Sequence, residues 1–145
     1  QVSAFLASGN VVFESGRKPA PDLELQIEQS LGERLGFAVP TFVRSAAEVA
    51  EIAAKQPFST TAVAASTGNL QVAFLSNRPD APNREIALGL ANPDDLLSID
   101  RREMYWLPKG NISDSELDLK TLGKILGPMT IRAQRTMVRL AEKLG

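Results

Sequence analysis

The chain has 145 residues and a formal net charge of −1, and 43% of its residues are hydrophobic. These values are ordinary for a globular protein and argue against a globally basic nucleic-acid-binding protein. The sequence contains no cysteine and no histidine, which excludes disulfides, thiolate or imidazole metal ligands and a Ser-His-Asp triad among these residues. The sequence shows no signal-peptide pattern and no apolar run of about 20 residues. It therefore predicts a cytoplasmic protein that does not enter a membrane.

The chain opens with a predicted β-hairpin over residues 2–13. The hairpin turns at Ser8, Gly9 and Asn10, because glycine and asparagine tolerate positive φ. A helix is predicted over residues 19–36, where Leu, Ile and Leu recur at a spacing of four.

A strand is predicted over residues 37–44 and should lie at a sheet edge, because Pro40 cannot donate a backbone hydrogen bond. Ser45 and Glu48 form a capping box, which predicts the start of the next helix. The small and polar stretch 59–69 is typical of a linker.

The second half begins with a predicted strand over residues 70–75 and a short helix that starts near Pro82. Two strands, 96–99 and 104–107, should pair as a hairpin across the charged turn 100–103. On the second of these strands Tyr105 and Trp106 are adjacent, so they must point to opposite faces of the sheet.

The chain ends with a predicted helix, strand and helix. Ser113 and Glu116 form a second capping box ahead of the first of these helices. The strand covers residues 129–132. The last helix covers residues 134–144 and should dock on the second sheet through four apolar residues: Met137, Leu140, Ala141 and Leu144.

This order of elements predicts an α+β protein made of two ferredoxin-like (split βαβ) units with antiparallel sheets. The helices of each unit should lie on one side of its sheet, with an extra helix after the last strand. The first unit, residues 1–58, lacks its opening strand and helix; residues 59–69 link it to the second unit, residues 70–145. An unpaired sheet edge in the first unit predicts a homodimer.

Acidic residues occur together at Asp94 and Asp95 and around the start of a helix at Asp114, Glu116 and Asp118. Neither group lies beside a nucleophile or an apolar stretch that would raise a carboxyl pKa. Both are predicted to be solvated caps, and no catalytic residue, metal ligand or cofactor is assigned.

Basic residues are concentrated at the C-terminus. Residues 124–145 contain five cations against the single carboxylate of Glu142, a net of +4. Such asymmetry can mark a site for polyanions. The predicted ligand-binding residues are therefore those of the last strand and helix, together with the backbone amides of the first turn: Arg132, Arg135, Thr136, Arg139, Ser8, Gly9 and Asn10.

Four short segments, in this order, carry a family resemblance: SGNVVF at 8–13, VPTFVRS at 39–45, VAFL at 72–75 and YWLPKG at 105–110. Together they resemble the bacterial domain of unknown function 1697 family. Members of that family begin with a further strand and helix, which agrees with the elements missing from the first unit. The resemblance implies a fold and no activity.

The chain departs from the family pattern at its C-terminal end. It has Ser115-Glu116-Leu117 where members carry Ser/Thr-Lys-Leu, and residues 131–136 replace a Thr-Arg-Asn-Trp-x-Thr pattern. Only Arg132 and Thr136 of the latter are kept. If these positions form a family ligand site, this chain has lost part of it.

Three functions are compatible with these residues. The first is a non-catalytic binding or interaction module. The second is a phosphate- or nucleic-acid-related binder that uses the basic C-terminal strand and helix, with weak and salt-dependent affinity for polyanions. The third is a carboxylate-dependent hydrolase whose key residues lie in the missing N-terminal segment.

We expect the purified chain to bind no zinc, because it offers neither the imidazole nor the thiolate ligands that zinc prefers. Elemental analysis after dialysis against zinc-containing buffer should give a zinc content well below one ion per chain. Stoichiometric zinc would contradict this prediction.

Overall fold

The described part of the protein begins with a small hairpin. The computed structural model describes four ranges: residues 2–5, 10–13, 27–29 and 42–144. Strands β1 (Val2–Phe5) and β2 (Asn10–Phe13) pair antiparallel over their full lengths, which confirms the predicted hairpin. Ser8 and Gly9 lie outside the described residues, whereas Asn10 is the first residue of β2 and not part of a turn.

The next two predicted elements are described only in part. Residues 27–29, within the helix predicted over 19–36, are helical. Residues 42–44, at the end of the strand predicted over 37–44, are not in a strand, so that prediction is wrong in its described part. Here the Arg44 side chain donates to the backbone carbonyls of Leu75 and Arg102 at 2.9 and 2.8 Å, which replaces pairing with a neighbouring strand.

A four-stranded antiparallel sheet organises the rest of the described chain. Its strands are β3 (Gln71–Leu75), β4 (Asp95–Asp100), β5 (Glu103–Pro108) and β6 (Met129–Ala133). They lie in the order β4-β5-β3-β6, and every neighbouring pair is antiparallel. The mixture of helices with this sheet confirms the α+β class, and each predicted strand of the second half lies within one residue of its position in the structure.

Five α-helices lie within residues 42–144, and the first four of them begin after a residue whose side chain caps the helix. They are α1 (Ala46–Ala54), α2 (Thr60–Ala65), α3 (Ala81–Leu88), α4 (Leu119–Leu126) and α5 (Gln134–Leu144). The first capping box is confirmed: Ser45 Oγ accepts from the Glu48 N–H at 3.1 Å, and Glu48 Oε1 accepts from the Ser45 N–H at 2.9 Å. Among the described residues, no helix combines the length and apolarity that crossing a bilayer requires.

The second predicted capping box is wrong. Ser113 lies inside a 3₁₀ turn (Ile112–Asp114), and Glu116 is exposed. Asp118 caps α4 instead, because it directly precedes the first helical residue and its Oδ1 reaches the Thr121 N–H at 3.0 Å. The stretch 59–69, predicted as a linker, contains the helix α2.

Alternate residues of the central strands enter two separate cores. On β3, Ala73 and Leu75 belong to one buried cluster, and Val72 and Phe74 to the other. On β5, Trp106 belongs to the first cluster and Tyr105 to the second, at 2% and 1% exposure. The prediction that these two aromatics face opposite sides is therefore confirmed.

Helices cover both faces of the sheet. α3 and α4 pack on one face through Ala87, Leu122 and Leu126. The other face is covered by α1 and α5, whose contributions include Val49 and Ile52 from α1 and Met137, Leu140, Ala141 and Leu144 from α5. The predicted docking face of α5 is confirmed, while the homodimer and the incomplete first unit stay predictions.

Four ion pairs join α1 and the residues flanking it to the β4–β5 turn and the strand residues on either side of that turn. Residues 44, 48, 51 and 55 recur at the spacing of one helix face, and they pair in reverse order with the consecutive residues 103, 102, 101 and 100. The pairs of this charge ladder are Arg44–Glu103 at 2.8 Å, Glu48–Arg102 at 3.3 Å, Glu51–Arg101 at 2.6 Å and Lys55–Asp100 at 3.1 Å.

The ladder is buried at one end, and its other pairs are partly or well exposed. The side chains of Arg44 and Glu103 are 4% and 7% exposed, whereas those of Glu51 and Arg101 are 61% and 60% exposed. Burial raises the pKa of Glu103 and, together with the nearby Arg102, lowers the pKa of Arg44. Both shifts oppose the charged forms, so the attraction within the buried pair offsets a desolvation cost.

We expect Glu103→Gln to lower the free energy of unfolding by about 3 kcal/mol, because it leaves the buried guanidinium of Arg44 without its counter-ion. Glu51→Gln is the matched control: its pair is exposed, so it should cost at most about 1 kcal/mol. Urea unfolding of both variants tests this. Equal losses of unfolding free energy in the two variants would contradict the larger structural role assigned to the buried Arg44–Glu103 pair.

Candidate anion-binding site

A cleft of about 480 Å³ lies where the loop after β3 approaches the β4–β5 turn. Three arginines line it, and we call it the arginine cleft. Its charged lining residues are Arg78, Asp80, Arg84, Asp100 and Arg101, a net of +1 from three cations and two anions. Small apolar surfaces from Pro79, Ala81 and Ile99 complete the lining.

Arg84 is positioned by the local structure of α3. Asp80 is the N-cap of this helix, and its Oδ1 accepts from the Asn83 N–H at 2.9 Å. Pro82 in the first turn favours a helix start at this position. From this first turn, Arg84 Nη2 donates to the carbonyl of Ile99 at 3.0 Å, which orients the guanidinium at the edge of β4.

Arg101 and Asp100 belong to both the charge ladder and the cleft. Arg101 has a φ of 55°, in the left-handed region that non-glycine residues rarely adopt, which allows the tight turn between the two strands. Its partner Glu51 is well exposed, and such pairs contribute little to stability. The guanidinium of Arg101 is therefore available to a competing anion at small cost.

Arg78 completes the set. Its side chain is exposed, and no hydrogen bond or ion pair joins it to another described residue. Within the described chain, Arg78 is thus unpaired, Arg84 has an uncharged carbonyl partner, and Arg101 has a solvated carboxylate partner.

The basic residues predicted at the C-terminus lie on two elements, Arg132 on β6 and Arg135 and Arg139 on α5. Arg132 Nη1 donates to Thr130 Oγ1 and to the carbonyl of Ile131 at 2.8 and 2.9 Å, so its side chain lies along its own strand. Its Nε is buried and has no hydrogen-bond partner among the described residues. Arg135 and Arg139 are exposed and four residues apart on α5.

The remaining predicted ligand-binding residues are Thr136, Asn10, Ser8 and Gly9. Thr136 is partly buried. Asn10 is in β2, and Ser8 and Gly9 lie outside the described residues. Gln134, one of the departures from the family pattern, has a structural role: its Nε2 donates to the carbonyls of Ile52 and Lys55 at the end of α1.

Sequence reasoning missed the arginine cleft and misjudged Asp95. Arg78, Arg84 and Arg101 form no local pattern, and the only signal was the charged turn 100–103. Asp95, predicted as a solvated cap, is 2% exposed. Its Oδ1 accepts from Trp106 Nε1 at 2.9 Å and from Ser115 Oγ at 2.6 Å, so it satisfies the polar atom of a buried indole.

Residues 1–105 match the family model described as "Protein of unknown function (DUF1697)". The chain belongs to this family. The matched range includes the three arginines of the cleft, whereas Arg135 and Arg139 lie beyond it. A search of curated proteins and a search of solved structures each gave no match. In the described ranges, no three His, Cys, Asp or Glu residues converge as a metal site.

We expect the double variant Arg135→Gln/Arg139→Gln to change the free energy of unfolding by less than about 0.5 kcal/mol, because both side chains are exposed. Met137→Ala, on the buried side of the same helix, should cost about 2–5 kcal/mol. Urea unfolding measures both. A double variant that unfolds would identify the two cations as structural partners.

Proposed function

We propose that this protein is a non-catalytic binding module and that its ligand is a small anion held in the arginine cleft. The observation that carries the proposal is the presence of three guanidinium groups in one cleft, each with weak or no competition from a charged partner. Guanidinium groups bind carboxylate and phosphate through paired N–H donors. Oxyanions are therefore the ligand chemistry that fits this cleft.

The lining supports binding more than turnover. The described residues of the cleft include no serine, threonine, lysine or tyrosine to attack a bound ester. Of its two carboxylates, Asp80 caps α3 and Asp100 pairs with Lys55. The chain also has no histidine to act as a proton donor or acceptor near neutral pH.

A second candidate is weak binding of a polyanion to α5. Arg135 and Arg139 are exposed on the side of the helix away from Met137 and Leu140. Three cations, Arg135, Arg139 and Lys143, recur at a spacing of four on this helix, whereas the three guanidinium groups of the arginine cleft line one concave volume, so the cleft is the better supported site. Affinity of the α5 surface for nucleic acid would fall steeply with salt.

We also propose that residues 70–145 form a ferredoxin-like unit. Their strands and helices follow the order β3-α3-β4-β5-α4-β6, which is a βαββαβ sequence. Since β5 lies antiparallel between β3 and β4, the latter two are parallel and separated by one strand, as in a split βαβ unit. Residues 1–58 would form the incomplete first unit, and residues 59–69 would link the two units. α1 belongs to the first of these ranges but packs on the four-stranded sheet of the second unit.

We expect Arg78→Gln/Arg84→Gln to weaken the binding of phosphate-bearing anions at least tenfold, because two of three charged donor groups are lost. Isothermal titration with inorganic phosphate, pyrophosphate and glucose 6-phosphate measures this. The variant Arg135→Gln/Arg139→Gln removes the same charge elsewhere and should bind as the wild type does. Undetectable binding by the wild type, or equal binding by the cleft variant, would refute the proposal.

A further inference from the structure

The arginine cleft contains two carboxylates as well as three guanidinium groups, and this mixture restricts its ligand. From it we infer that the ligand is a phosphate ester that also bears hydroxyl groups, as sugar phosphates do. The inference rests on the proposed anion binding and specifies its chemistry.

Each carboxylate has one oxygen bonded and one open. Asp80 Oδ1 accepts from the Asn83 N–H, and Asp100 Oδ2 pairs with Lys55 Nζ. The second oxygen of each, Asp80 Oδ2 and Asp100 Oδ1, takes part in no hydrogen bond with a described residue. Both side chains line the cleft, so they offer acceptor positions beside the arginine donors.

An ionised carboxylate can only accept hydrogen bonds. Near neutral pH the hydroxyl protons of inorganic phosphate lie on the charged group itself, so any donor it offers to Asp80 or Asp100 brings anionic oxygens that both carboxylates repel. A ligand with a phosphate at one end and hydroxyl groups at the other satisfies both kinds of lining group. The net charge of only +1 also disfavours a polyanion relative to a singly phosphorylated molecule.

The volume of the arginine cleft and its lining residues also favour a sugar phosphate. A volume of about 480 Å³ falls in the range of small-molecule sites, roughly 300–1,000 Å³, so an inorganic phosphate would fill little of it. The apolar lining residues are Pro79, Ala81 and Ile99. No aromatic side chain lines the described cleft, so it lacks the stacking surface by which proteins hold nucleobases.

The experiment compares glucose 6-phosphate, inorganic phosphate and glucose by isothermal titration. We expect the wild type to bind glucose 6-phosphate at least about tenfold more tightly than phosphate. Asp80→Ser retains a helix-capping oxygen but removes the open one, and it should reduce this preference to about threefold or less. Asp118→Ser, the same change at the N-cap of α4 outside the cleft, should leave the preference unchanged.

Asp100→Asn provides a second test that does not alter a helix cap, and it should also reduce the preference. Equal affinity of the wild type for phosphate and glucose 6-phosphate would overturn this inference alone. An undiminished preference in both Asp80→Ser and Asp100→Asn would do the same. Binding of none of the phosphate compounds would overturn the proposed function itself.

The same chemistry occurs in a soluble sugar phosphate and in the headgroup of a phosphoinositide lipid. Co-sedimentation with phosphatidylcholine vesicles that contain phosphatidylinositol 4-phosphate separates the two sources. Binding of soluble glucose 6-phosphate without vesicle binding would identify a soluble ligand. Vesicle binding that Arg78→Gln/Arg84→Gln abolishes would identify the lipid headgroup, and vesicle binding that persists in this variant would assign the lipid to another surface.

Discussion

The buried ion pair between Arg44 and Glu103 fixes the position of α1 against the sheet, and much of the described structure depends on that position. Arg44 lies over the ring of Phe74, 5.2 Å from its centroid, in addition to its hydrogen bonds. With α1 in this position, Val49 and Ile52 enter the second core. Because desolvation offsets most of the attraction in a buried pair, such a pair specifies one arrangement more than it adds net stability.

The presence of helices on both faces determines where a ligand can bind. An antiparallel sheet with one open face could present aromatic residues as a stacking platform, as RNA-binding sheets do. Here Phe74, Tyr105 and Trp106 are all buried, so that use of the sheet is excluded. The remaining accessible positions are at the ends of the strands, where loops and turns carry charged residues. The arginine cleft lies at such an end.

Local patterns predicted the strands of the second half and the start of α1, but not the start of α4. The alternation around Tyr105 and Trp106 and the capping box at Ser45 were sufficient to place the strands and the start of α1. The charge ladder could not be predicted in this way, because its buried pair joins residues 59 positions apart. The four charges of the β4–β5 turn were visible in the sequence, but their partners were not. The same reason explains Asp95, whose burial depends on Trp106 and on a serine 20 residues away.

The guanidinium group of Arg101 both pairs with Glu51 and lines the arginine cleft. A ligand anion that binds Arg101 competes with Glu51 for the same donors. If the cleft binds an anion as proposed, its occupancy and the Glu51–Arg101 contact of α1 would be linked, and thermodynamic reciprocity would make the coupling equal in both directions. A change that strengthens the contact between α1 and the turn would lower the affinity for the ligand. The ligand would weaken that contact by the same factor. Because the exposed Glu51–Arg101 pair contributes at most about 1 kcal/mol, this coupling is limited to about fivefold in affinity.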